Sequence, residues 1–147
     1  MEQRFDLTKV TPEGYKAMLG VHAYVGGCGL DHGLLELVKI RVSQINGCAF
    51  CLAMHVPLAQ KHGVSDMQLH LLTAWREAPV FDARQRAALA WAEALTQLPG
   101  GDVPDEVYAL AAAQFSTKEI ADLSFAIAEI NAWNRLMVCS RTPAQVG

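Results

Sequence analysis

The chain has 147 residues, a formal net charge of −3, 52% apolar residues and 18% charged residues. That is one domain's worth of chain with ample material for a core, which excludes a disordered polar tail as its main content. The slight acidity leaves no electrostatic case for nucleic acid or an anionic membrane surface. The mean hydropathy of +0.16 points instead to apolar surface buried between subunits.

The first ten residues, MEQRFDLTKV, hold no apolar h-region, so no secretory signal is expected and the protein reads as cytoplasmic. Thr11-Pro12 places a cap before a proline and opens a helix over 12–25, stopped by Gly26-Gly27. Helices over 32–46 and 48–62 follow, with breaks at Asn46-Gly47 and Gly63. The uncharged stretch 42–60 contains Asn46-Gly47, Pro57, Ser43, Gln44 and His55, a mixture that does not read as a membrane span. Pro57 removes a helical hydrogen bond; it reads as a tolerated bend, or else as a kink that tilts His55.

Ser65 to Gln68 forms a capping-box pattern that opens a helix over 66–77, ended by Pro79. Asp82 and Gln85 repeat the device for 83–98, where Ala88, Leu89, Ala92 and Leu95, with Trp91 alongside, make a core face. Pro99-Gly100-Gly101 stops that helix. A helix over 104–114 precedes one over 117–140, opened by Ser116 and Glu119, striped with Ile120, Leu123, Ile127 and Ile130, and closed by Pro143. No apolar–polar alternation appears anywhere. The expectation is a single all-α domain, 1–147, of about seven helices with a helical hairpin about Gly47 at its centre.

Of the four cysteines, Cys28 and Cys139 are isolated and read as small buried hydrophobes. Cys48 and Cys51 are spaced C-x-x-C. Three residues apart at a helix start, both thiols project one way, and unpaired N–H groups and the helix dipole favour a thiolate there. His55 continues the same stripe, one turn past Cys51. A neutral imidazole there takes the thiol proton, and a protonated one holds the thiolate as an ion pair. The second thiol then traps an oxidised first thiol as a disulfide. A zinc site using Cys48, Cys51 and His55 is the alternative, with His22 or His32 needed to complete it. A c-type haem is excluded because Leu52 follows Cys51, and the thioredoxin design is excluded by the absence of strand signals.

Glu36, Lys39 and Ser43 share one narrow stripe beside the apolar face of Leu34, Leu35, Val38, Val42 and Ile45. The preferred reading is a solvated Glu36–Lys39 pair of little energetic weight. The other reading folds the hairpin about Gly47, so that Glu36 meets His55 and fixes its tautomer.

Glu36, Cys48-x-x-Cys51 and His55, set in LLELVKIRVSQINGCAFCLAMH, together resemble the core motif of the alkylhydroperoxidase D-like family, part of the wider carboxymuconolactone decarboxylase superfamily. NAWNRL at 131–136, with Arg141 and Pro143, is similar to its small single-domain members. The resemblance spans roughly Pro12 to Pro143. It implies an all-α fold, trimeric or hexameric assembly (hexamer preferred), and a thiol peroxidase with no metal or organic cofactor. By the same resemblance Cys51 attacks peroxide, Cys48 resolves it, Glu36 and His55 relay protons, and a dithiol reductant of unknown identity restores the pair. Phe50 stands where the founding peroxidase has a histidine, which shortens the relay. The decarboxylase branch lacks the cysteine pair, so decarboxylation is not expected. Trp133, Asn131 and Asn134 either line the site from the last helix or serve as core and as bridges between helices. A metal-binding protein and a non-enzymatic redox sensor or scaffold stand as the competing classes.

Overall fold

The computed structural model describes residues 1–147 and is all-helical. Eight α-helices follow one another: α1 (Leu7–Val10), α2 (Pro12–Gly26), α3 (His32–Asn46), α4 (Ala49–Lys61), α5 (Asp66–Leu71), α6 (Ala83–Gln97), α7 (Asp105–Gln114) and α8 (Thr117–Ser140). Seven match the expected helices to within a residue or two at most ends. α1 is the addition: four residues carry no readable periodicity, and it is started by Asp6, whose side chain accepts from the Thr8 N–H. The expected 66–77 helix ends early at Leu71 and tightens into a 3-10 turn over Leu72–Ala74. No helix is long and apolar enough to cross a membrane.

The caps decide most boundaries. Ser65 with Gln68, Asp82 with Gln85, and Ser116 with Glu119 each form a complete capping box, satisfying two backbone donors reciprocally. Thr11 departs from expectation. Pro12 does occupy the first turn of α2, but the Thr11 side chain makes no cap bond to it and donates back to the Leu7 carbonyl instead.

α3 is the central element, with ten of its fifteen residues buried. It packs on α4, α6 and α8. Leu35, Val38 and Val42 meet Leu123, Ile127 and Ile130 of α8 in the larger of two apolar clusters; each such side chain contributes about 1.5–3 kcal/mol by leaving water. Leu37 and Ile40 face the other way, toward Leu72, Trp75 and Leu89. Between these apolar flanks Glu36, Lys39 and Ser43 form a buried polar stripe, while Arg41 and Gln44 lie outside it.

The α3–α4 hairpin turns at Gly47, whose φ of 68° lies in the left-handed region that costs any other L-residue roughly 1–2 kcal/mol. The Cys48 N–H donates to the Ser43 carbonyl at 3.0 Å, closing the turn. α8 holds this corner. Asn46 donates to Oδ1 of both Asn131 (2.9 Å) and Asn134 (3.0 Å), and Asn134 donates to Ser43 Oγ at 3.0 Å. Asn131 and Asn134 are therefore bridges between helices.

Candidate active site: a dithiol beside a buried histidine–glutamate pair

Cys48 is the N-cap of α4 and not its first helical residue; its Sγ accepts from the Cys51 N–H at 3.3 Å. The two cysteines are joined as a disulfide, with Cα atoms 5.4 Å apart. Both are buried. The helix start thus aims one backbone N–H, that of Cys51, at the Cys48 sulfur, an arrangement that favours a thiolate there once the bond is reduced.

His55 sits one turn further along α4 and is 6% exposed. α4 runs on through Pro57, so the proline is accommodated inside the helix. His55 Nδ1 lies 2.7 Å from Glu36 Oε2. A carboxylate at Nδ1 sets the tautomer with its proton there and leaves Nε2 to exchange protons. His55 makes no hydrogen bond to either sulfur; the ring and Cys51 meet as walls of one cavity.

The solvated Glu36–Lys39 pair is overturned. Glu36 is 7% exposed and Lys39 4%, and they face different partners: Glu36 meets His55, while Lys39 Nζ lies 3.9 Å from Glu129 Oε2. The stripe is polar because α4 and α8 present polar groups to it, not because water does.

The cavity measures about 90 Å³ and is mostly apolar; Leu19, Phe50, Met54, Ile130 and Trp133 line it beside Cys51 and His55. Trp133 is both core and lining: it packs edge-on to Tyr15 at 5.2 Å and donates to Glu129 Oε1 at 3.3 Å. Cys48 does not line this cavity. It borders a separate, more open hollow with Arg4, Gly47 and Arg141. The two bonded cysteines therefore line different hollows, with Phe50 and Met137 as shared walls.

His32 lies elsewhere, exposed and stacked on His62 with ring centroids 5.0 Å apart. No group of three His, Cys, Asp or Glu side chains converges with metal-ligand spacing, so the zinc alternative finds no geometry to support it. Cys28 is half-buried and Cys139 exposed. This corrects the reading of Cys139 as a buried hydrophobe: with Val138 it occupies the outward face of the last turn of α8, while Met137 and Ser140 of the same turn stay buried. Sequence reasoning also missed Glu129, which is 3% exposed. Its signal was available, as a lone acid between Ala126 and Trp133 on a helix whose neighbouring positions are apolar.

A dithiol at a helix start, backed by a buried imidazole–carboxylate pair in an all-α fold, defines the class of the protein. A model of the carboxymuconolactone decarboxylase family matches residues 12–94. The chain belongs to that family, as an AhpD-like member. It is 37% identical to the uncharacterized protein YdfG of Bacillus subtilis over 94% of both chains. It is 32% identical to the uncharacterized protein YnjA of Escherichia coli over 79% of this chain and 63% of the other. Among solved structures it is 38% identical to a protein of unknown function from Agrobacterium tumefaciens, suggested to be the antioxidant defence protein AhpD, with a TM-score of 0.95 over 99% of this chain and 100% of that one. The debrominase Bmp8 shares the fold at a TM-score of 0.81 and 18% identity, over 92% of this chain and 73% of its own.

Proposed function

We propose that this chain is a thiol peroxidase that cycles Cys48 and Cys51 between dithiol and disulfide. The observation that carries the reading is the partition of the two cysteines between neighbouring hollows. Cys51 shares an apolar cavity with His55, whose Nδ1 is held by the buried Glu36 carboxylate, while Cys48 lies outside that cavity and within disulfide reach.

In the reduced protein, His55 takes the Cys51 proton through Nε2, directly or by one water, and Glu36 orients the ring for it. The Cys51 thiolate attacks the terminal oxygen of a hydroperoxide and becomes a sulfenic acid, releasing an alcohol or water. Cys48 then displaces water from that sulfur to close the disulfide. A dithiol reductant returns both thiols by exchange.

The test is peroxide consumption by the purified protein with a dithiol donor, with each cysteine replaced in turn. Cys51→Ser is expected to fall to the uncatalysed background. Cys48→Ser should turn over no peroxide beyond the first equivalent and accumulate a trappable sulfenic acid on Cys51, visible by mass spectrometry. Peroxide reactivity retained in Cys51→Ser and lost in Cys48→Ser would reverse the roles. One oxidation event without turnover in the wild type would make the protein a redox sensor.

A further inference from the structure

The cavity carries a second imidazole–carboxylate pair that the mechanism above leaves idle. His22, on α2, places Nδ1 2.7 Å from Oε1 of Glu129, on α8. This repeats the His55–Glu36 distance of 2.7 Å, and all four pocket groups concerned, Cys51, His55, His22 and Glu129, line the same space. Glu129 is held from three sides. Oε1 also accepts from Trp133, and Oε2 is buried without a hydrogen-bond partner, 3.9 Å from Lys39 Nζ. Burying a carboxylate is unfavourable before compensation, and packing alone gives no reason to place one in a mostly apolar wall.

The two histidines differ in one respect. The His55 side chain is 7% exposed and that of His22 is 52% exposed. His22 can therefore refill its proton from water on its outer side while its carboxylate-bound Nδ1 keeps the ring in place. With Nδ1 engaged, Nε2 is the atom left to carry a transferable proton.

We propose that His22 is the general acid of the peroxide half-reaction and that Glu129 is its positioning residue; this rests on the peroxidase reading above. The Cys51 thiolate attacks the hydroxyl oxygen of R–O–O–H. The S–O bond forms, the O–O bond breaks, and sulfur gives up two electrons. The departing R–O⁻ takes the proton from His22 Nε2, leaving as R–OH, and His22 recovers a proton from water. One imidazole thus removes a proton from the nucleophile and the other supplies one to the leaving group, so neither has to reverse its role within a single attack. The cavity, at about 90 Å³, is smaller than the ~150 Å³ that holds a benzene, so it takes the hydroperoxyl head and a short alkyl group.

The leaving group provides the test. Ethyl hydroperoxide departs as a strongly basic alkoxide that needs a proton, whereas peracetic acid departs as acetate, which does not. Stopped-flow oxidation of the reduced protein by each substrate is compared between wild type, His22→Gln and Glu129→Gln. His22→Gln is expected to slow ethyl hydroperoxide about 100-fold and peracetic acid by less than about threefold, within the range of a lost general acid. Glu129→Gln should show the same selective loss to a smaller extent. Equal slowing of both substrates, or of neither, in His22→Gln overturns the acid role. Because the His22 ring is half exposed, its variant decides the matter even if Glu129→Gln does not fold. A wild type inert to both substrates is a separate result: it removes the peroxidase reading itself, and this inference with it.

Discussion

Water weakens an exposed ion pair to a few tenths of a kcal/mol, and the burial of Glu36 and His55 is what makes their contact directive. The Glu36 carboxylate at Nδ1 fixes which nitrogen of the ring is left for proton exchange. Glu36→Gln keeps the shape and a hydrogen bond but loses the charge. It is expected to leave the disulfide able to form while slowing Cys51 oxidation about 10- to 100-fold and changing its pH profile, read by stopped-flow across pH. No change at any pH would return Glu36 to a structural role. A helical wheel puts Glu36, Lys39 and Ser43 on one stripe correctly, and that much was legible. What a single helix cannot tell is what lies opposite. Here Glu36 faces His55, Lys39 faces Glu129 and Ser43 faces Asn134, all from other elements. The Cys-x-x-Cys and His55 needed no such knowledge, because their relation is internal to α4.

Helix starts were readable because Ser65, Asp82 and Ser116 each carry their partner three residues on, and the structure closes all three boxes. Segments held by distant groups were not. The loop after α5 is set by Arg86, which donates to the Trp75, Arg76 and Ala78 carbonyls, an anchor with no local signature. Beside it, Glu93 on α6 gathers Trp75, Arg76 and Arg41. Burial alone would raise its carboxyl, but those three partners hold it below the ordinary 4.5. A depressed carboxyl stabilises the fold above its unfolded value, and that contribution is lost as pH falls through the folded one. Urea midpoints should therefore drop as pH falls below about 4.5, and Glu93→Gln should flatten that fall while lowering stability at neutral pH. The corner at Gly47 has its own check. Asn134 is fully buried and bonded to both Asn46 and Ser43, so Asn134→Ala leaves buried groups unpaired. It should cost about 1–3 kcal/mol, measured by denaturant unfolding.

On the scale of the whole molecule, apolar side chains remain outside in pairs and patches. Tyr24 and Phe125 are 51% and 55% exposed and pack edge-on to each other at 5.6 Å. Exposed apolar side chains of this kind support the proposal that the chain contacts further copies of itself. The expected assembly is a trimer or, preferentially, a hexamer, and a monomer mass by light scattering at micromolar concentration would refute it.

The cross-link at the head of α4 closes a ring of only four residues, Cys48 to Cys51. Chain-entropy arguments credit so short a ring with about 2 kcal/mol, against about 3 for a fifteen-residue loop and more for longer ones. Little of the unfolded chain's freedom is tied up in it. The asparagine bridges at the corner, and the packing of Leu35, Val38 and Val42 on Leu123, Ile127 and Ile130, are made by side chains other than the two sulfurs. In the proposed peroxidase cycle, a bond placed this way is a reversible fastener: opening it frees little chain entropy, so each round is expected to proceed without unfolding.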